Sequence, residues 1–418
     1  MDALAAHIDQ NINARIEELS KLCAIPSVSA RRDSLKDCAA AVRAMLQLRG
    51  FDVRLIETGG QPVVYGELGD GPRSLLLYNH YDVQPPDPLE LWTTPPFQPS
   101  RRDGALYARG AIDDKGEIMS RLAALDAVLA VLKRLPYRVK FLIEGEEEIG
   151  SPNLESLIRE HAPLLRADAC IWEAGGCDEN GRPEIVLGLR GLLYVEMSVR
   201  SLEYDAHSGH AHALPSAAWR LVWALSSLKN QDARVLIPGF YEGCRCPSLN
   251  ARQPIEDLQS AVFSPTCNIS GVSAGYTDHG SKTIIPAEAR CKIDFRLVPD
   301  QDPEDVAVKL RAHLDRLGFD DVKVVTLDRL RPAMSDPGAA IVRLAAQAGK
   351  AAWGIEPAIV PLAGGSGPMA FFVELLKMPI VSIGCSYPGA RKHAPNEHVR
   401  LGDFARGAKH LARIFASF

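Results

Sequence analysis

The chain is predicted to be an α/β protein, with a mainly parallel sheet covered by helices and interrupted by a ferredoxin-like α+β domain. Two patterns carry this. In the first part, short apolar runs such as Leu75-Leu76-Leu77-Tyr78 alternate with segments of helical period, as in strands buried on both faces between helices. The middle instead reads β-α-β-β-α-β, the order of a ferredoxin-like module. A length of 418 residues agrees, since at ~150 residues per domain two or three domains are expected.

Taken in order, an amphipathic N-terminal helix is followed by a second helical stretch through Arg43–Leu46 and strands at Val53–Ile56, Val63–Gly66 and Leu75–Tyr78. Ile118, Leu122, Leu125, Leu129 and Leu132 recur at spacings of four and three, a helix period. Strands follow at Val139–Ile143 and Ala169–Trp172. The insert has strands at Leu192–Val199, Cys267–Val272, Ala289–Leu297 and Val322–Thr326, with helices at Ser216–Leu228 and Glu304–Leu317. After Pro332 the α/β style returns, with helices at Ala339–Lys350 and Pro368–Leu376, a strand at Ile380–Ile383 and a closing helix. Residues 1–189 and 331–418 are thus expected to form one discontinuous catalytic domain, and 190–330 the insert.

Composition narrows the function. Lys plus Arg is 47 against Asp plus Glu 52, a formal charge of -5. Without basic blocks, neither nucleic acid nor an anionic membrane is an expected partner. No apolar run approaches the ~20 residues that span a bilayer, and the N-terminus lacks the pattern of a signal peptide. The 9 cysteines are scattered with no CxxC pair, which fits thiols in a reducing compartment. A cytoplasmic location is expected.

The chemistry lies at the strand ends. Leu75–Tyr78 leads to His80 and Asp82, Val139–Ile143 to Glu146-Glu147-Glu148, Ala169–Trp172 to Glu173, and Ile380–Ile383 to a loop with His393. Asp113-Asp114 follows Tyr107–Gly110 in the same manner. In open α/β sheets this edge forms the ligand crevice. Carboxylates gathered there repel one another and call for cations, and imidazole with carboxylate suits zinc, manganese or cobalt. In His80-x-Asp82 the acid is placed to orient the histidine ring. Each segment has a plainer explanation alone: HxD pairs are common, Asp113-Asp114 can cap a helix, and a Glu run is usually a solvated turn. Their convergence on one edge favours a metal site. Gly364-Gly365-Ser366-Gly367-Pro368 lacks the last glycine of a nucleophile elbow, Gly275–Lys282 is not a Walker loop, and Cys244-x-Cys246 reads as structural.

His80-Tyr81-Asp82-Val83, Gly110–Gly116, Glu147–Ser151 and His393-Ala394-Pro395-Asn396-Glu397 together resemble the dizinc metallopeptidase family of carnosine dipeptidase, glutamate carboxypeptidase, acetylornithine deacetylase and succinyl-diaminopimelate desuccinylase. The carnosine-type dipeptidases look closest, through Leu189-Arg190-Gly191, His207-Ser208-Gly209, Lys282–Pro286 and Phe295–Pro299. The resemblance implies two divalent ions per subunit, zinc or else manganese or cobalt. His80, Asp113 and Glu173 would hold one, and Asp113, Glu148 and His393 the other, with a cis Asp113-Asp114 peptide. Glu147 becomes the general base, Asp82 the partner of His80, and Glu146 a solvated acid without a role. Residues 190–330 become a lid and dimerisation domain, whose His207 polarises the scissile carbonyl in the partner subunit of a homodimer. Thr283 and Asn268 would act beside it, while Arg296, Gly365 and Ser366 bind the substrate carboxylate and nearby backbone. Glu173 stands where dipeptidase relatives commonly carry Asp.

The expected reaction is hydrolysis of the amide bond in dipeptides or short peptides with a free carboxylate, by a water activated between the metals and by Glu147. N-acyl or N-carbamoyl amino acids are the alternative substrates. A catalytically inactive metal-binding scaffold is a remote third reading.

Overall fold

The computed structural model describes residues 2–244 and 262–418, so Cys246 lies outside the described residues. Two compact units emerge: Met1–Gly188 with Met334–Pro361 and Phe371–Phe418, and Leu189–Ala333 with Leu362–Ala370.

The first unit is built on a nine-stranded sheet. Across it run Asp52–Ile56, Val63–Leu68, Arg138–Glu144, Ser74–His80, Ala169–Trp172, Ile380–Ser382, Pro183–Val186 and Ala358–Val360, and the short ninth strand Gly176–Cys177 pairs with Pro183–Val186. Its centre is parallel: Leu77 lies opposite both Phe141 and Ile171, and Val381 opposite Ile171. Every residue of Ser74–His80 is buried, which is why this strand reads as an unbroken apolar run rather than an alternation. Helices Ala3–Cys23, Lys115–Leu132, Ala340–Trp353 and Leu401–Ser417 pack against one another. Gly349 permits the last of these contacts, because a Cβ there would lie 2.8 Å from His410 Cε1. Lys115–Leu132 is buried on nearly all sides, its charged Lys115, Glu117 and Arg121 included.

The second unit carries a four-stranded antiparallel sheet in the order Thr266–Ala274, Glu288–Leu297, Gly191–Arg200, Lys323–Leu330. Helices Ala217–Ser226 and Pro303–Arg316 complete the β-α-β-β-α-β sequence, the expected ferredoxin-like arrangement. Leu193, Val195, Met197 and Val199 alternate into its core with Cys291, Ile293, Phe295 and Leu297. The Leu362–Ala370 loop groups with this unit rather than with the sheet that follows it. Leu189 bridges Ala363, and Arg190 N–H donates to Gly365 O at 2.9 Å. Backbone hydrogen bonds between segments so distant in the chain leave no mark on composition.

Candidate metal centre

Strands Ser74–His80, Arg138–Glu144 and Ala169–Trp172 are parallel neighbours, so their carboxyl ends meet. His80 ends the first, Glu146–Glu148 follow the second and Glu173 the third. Helix Lys115–Leu132 starts directly after Asp113–Asp114 and ties this edge together. The buried Arg121 guanidinium donates to Tyr78 O at 2.7 Å and to Trp172 O, bracing the strand ends beside His80 and Glu173. One turn earlier, Glu117 accepts from Cys385 N–H at 2.8 Å. Gly384 makes that approach possible, since a Cβ there would lie 2.1 Å from Glu117 Oε1.

The two oxygens of Asp113 face different histidines. Oδ1 is 3.4 Å from His80 Nε2, and Oδ2 is 2.9 Å from His393 Nε2, which also lies 3.3 Å from Glu148 Oε2. Ligand atoms of His80, Asp113 and Glu148 fall within 4.8 Å of one another, as do those of His80, Asp114 and Glu173. The Asp113–Asp114 peptide is cis. Asp114 thus joins the group with Glu173, while its Oδ2 accepts from Asn79 Nδ2 at 2.5 Å and His80 N–H at 3.1 Å. Glu147 Oε2 stands 4.0 Å from His80 Nε2.

Asp82 lies against His80: Nδ1 of the ring is 3.1 Å from Asp82 O and 3.4 Å from Oδ1. Its carboxylate also accepts from the backbone N–H of Glu147 and Glu148 at 3.3 and 3.1 Å, and so seats the acidic turn. One expectation needs correction: Glu146 is not a solvated acid. It is 8% exposed and accepts from Asn153 Nδ2 at 2.7 Å, in space left by Gly60. A run of three glutamates looks like surface until their separate directions are known.

Burial first, and then mutual repulsion, shape the electrostatics. Glu147 and Glu173 are pushed well above the usual carboxylate range, and Glu148 and Asp114 up to about 7 and about 6. Asp113 goes the other way: although burial opposes its charge, Lys392 and hydrogen bonds from His393 and His80 hold it well below that range. His80, in turn, is raised by Asp113 and Asp82 against the effect of its burial. The donor set fits a pair of divalent ions. Among the described residues, Glu148 Oε1 and Glu173 Oε2 are buried without a hydrogen-bond partner, a costly state unless a cation satisfies them.

The substrate-binding candidates lie in the second unit. His207 pairs with Ile284, and Ser208 N–H donates to Thr283 O at 3.1 Å, which brings His207 and Thr283 together. Arg296 Nη1 donates to Ser366 Oγ at 2.8 Å, and Ser366 Oγ to Gly191 O at 3.2 Å. Asn268 lies on the adjacent strand, its amide on Asp294 at 2.8 Å. Sequence reasoning missed Glu117, Arg121, Lys392 and Glu397. A charged pair inside the apolar period of Lys115–Leu132 was the available signal for the first two; Glu397 closes the His393–Glu397 motif but carried no role there, and Lys392 has no signal.

The profile of peptidase family M20/M25/M40 matches residues 76–417, a span that holds every residue of this centre. The chain belongs to that family. It is 35% identical to the M20 family metallo-carboxypeptidase Sso-CP2 from Sulfolobus solfataricus, with a TM-score of 0.89 over 96% of this chain and 98% of that one. Human carnosine dipeptidase 1 is 26% identical, with a TM-score of 0.82 over 99% and 98%. The Beta-Ala-His dipeptidase of Rattus norvegicus is 26% identical over 467 residues, covering 99% of this chain and 95% of the relative. As an M20 member the chain is a dinuclear metal-dependent hydrolase.

Proposed function

We propose that this M20 enzyme hydrolyses the amide bond of dipeptides, or of short peptides with a free carboxylate, using two zinc ions. The observation that carries the reading is Asp113, whose two oxygens face His80 and His393, with Glu148 and Glu147 alongside. His80, Asp113 and Glu173 would hold one ion, and Asp113, Glu148 and His393 the other. When bound, the ions supply Lewis acidity toward the scissile carbonyl and acidify water.

The chain's own groups do the rest. Glu147 takes the proton of the attacking water and passes it to the leaving amine; its Oε2 stands 4.0 Å from His80 Nε2, beside the centre. Asp82 keeps Glu147 in place through its backbone N–H. Arg296, steadied on Ser366, offers a two-donor fork to the substrate carboxylate, with Gly365 and Ser366 beside it. His207, with Thr283 and Asn268, polarises the scissile carbonyl from the second subunit of a homodimer.

In this reading residues 190–330 are the lid and dimerisation domain. Support comes from the exposed Trp219, Val222 and Trp223 on helix Ala217–Ser226 and from Ile269 and Val272 on the edge strand Thr266–Ala274. A cytoplasmic location is supported by the described cysteines, all of them free. No described helix is long and apolar enough to cross a membrane.

A carboxypeptidase acting on longer peptides is the second reading, favoured by the 35% identity to Sso-CP2. A hydrolysis panel separates the two. The enzyme, loaded in turn with zinc, manganese and cobalt, meets dipeptides, tripeptides, longer peptides, and N-acetyl-, N-succinyl- and N-carbamoyl amino acids, with products read by mass spectrometry. Cleavage of dipeptides above all is expected. Stepwise C-terminal trimming of long peptides establishes the carboxypeptidase, and cleavage of acylated amino acids alone overturns both readings.

A further inference from the structure

Glu397 has no place in the reaction described above, yet it is 0% exposed and fully engaged. Its Oε1 accepts from Ile112 N–H at 3.0 Å and Asp113 N–H at 3.1 Å. Its Oε2 accepts from Gly110 N–H at 3.1 Å and from the buried Arg109 Nη1. Its backbone O accepts from Ala108 N–H at 3.1 Å. A carboxylate has about four lone-pair sites, and here each has a donor. All of these donors lie in the short stretch that ends at Asp113. Arg109 is itself fixed, with Nη2 donating to Pro85 O at 3.2 Å.

The other side of the contact is the turn that carries His393. Glu397 stands four residues beyond it. Between them, Asn396 pins the turn: Oδ1 accepts from Thr93 N–H and Nδ2 donates to Leu91 O, both at 2.9 Å. The backbone at His393 and Asn396 is left-handed, with φ of 59° and 62°. Histidine and asparagine tolerate this region better than most residues, and the Asn396 bonds hold the turn in it.

We propose that Glu397 is a positioning residue that locks the Asp113 loop to the His393 turn, so that a single buried carboxylate aligns the two sides of the metal centre. The proposal rests on reading Asp113 and His393 as metal ligands. Asp113 has to keep one oxygen toward each histidine, and its backbone N–H is held by Glu397 itself. Charge-assisted hydrogen bonds are short and strong, and groups that orient metal ligands govern affinity as well as geometry.

Glu397→Gln tests this with little change of shape. The new amide nitrogen must face either Ile112 and Asp113 or Gly110 and Arg109, all of them donors. Three readouts are taken on the full-length protein. In the metal-free form, hydrogen exchange at the amides of Gly110, Ile112 and Asp113 is expected to quicken about tenfold or more, with distant helices unchanged. Zinc affinity, measured by competition with a chromogenic chelator, is expected to fall roughly 10–100-fold. At saturating zinc, kcat falls while KM stays near wild type. Wild-type exchange at those amides together with wild-type zinc affinity overturns the proposal. If the wild-type protein itself binds no zinc, the reading of the centre fails, whereas the exchange comparison still decides the clamp. Should Glu397→Gln not accumulate as folded protein, Arg109→Lys removes the paired guanidinium but keeps the backbone bonds. A several-fold loss of zinc affinity is then expected, and unchanged affinity and exchange overturn the clamp.

Discussion

At the sheet edge of the first unit Glu173 is 7% exposed and Asp82, Asp114 and Glu397 are sealed from solvent, whereas His207, Asn268 and Thr283 of the second unit are exposed. The sealed acids are placed by hydrogen bonds from neighbouring backbone: Asp82 by Glu147 and Glu148, Asp114 by His80, Glu397 by Gly110, Ile112 and Asp113. Exposed His207 accepts one local bond, from Gly209 N–H at 3.0 Å. The difference follows from charge. Buried carboxylates that repel one another stay together only if the fold supplies donors and cations on every side. Groups outside such a cluster carry no such demand and can remain solvated.

The largest effect expected from this contrast is at Glu147. Glu147→Gln should lower kcat by roughly 10²–10⁴-fold, the usual worth of a general base, while metal content by elemental analysis matches wild type. Loss of the ions along with activity would make Glu147 another support of the centre and blur its distinction from Glu148.

A smaller effect tests burial away from the cluster of carboxylates. His410 is buried away from the centre, with Nε2 2.8 Å from Ala345 O, and burial pushes its pKa from 6.5 down to about 4. Between those values the unfolded chain takes up a proton that the folded one refuses. The contribution is therefore whole above pH 6.5 and lost as pH falls through 4, up to about 3 kcal/mol for such a shift. His410→Gln keeps a donor for Ala345 O and abolishes the titration. Denaturant midpoints measured from pH 7 to 4 should then fall less steeply than in wild type; parallel curves would show that this burial does not matter here.

The smallest effect belongs to the second unit. Arg296→Met should raise KM for free-carboxylate substrates roughly tenfold to a hundredfold, the worth of a charge-assisted pair, and leave their amides nearly unaffected. Equal losses for both would mean that Arg296 acts through its bond to Ser366 rather than on the substrate. The order of elements and the strand ends bearing His80, Glu148 and Glu173 were legible because periodicity and apolar runs are local properties. Glu146 was misjudged for the opposite reason: which of three adjacent glutamates is sealed depends on Gly60 and Asn153, far away in the chain.

From the sequence alone came the α/β class, the ferredoxin-like insert and the His, Asp and Glu residues at the strand ends, since these depend on side-chain chemistry and on spacing within single elements. Tertiary structure decided how the residues are aimed. It turned the Asp82 carboxylate onto the Glu147–Glu148 backbone, brought Asp114 beside Glu173, ran Arg121 across two strand ends and closed Glu397 on the Asp113 loop. Those relations join segments up to hundreds of residues apart through backbone groups that every residue shares, and so no pattern of side chains announces them.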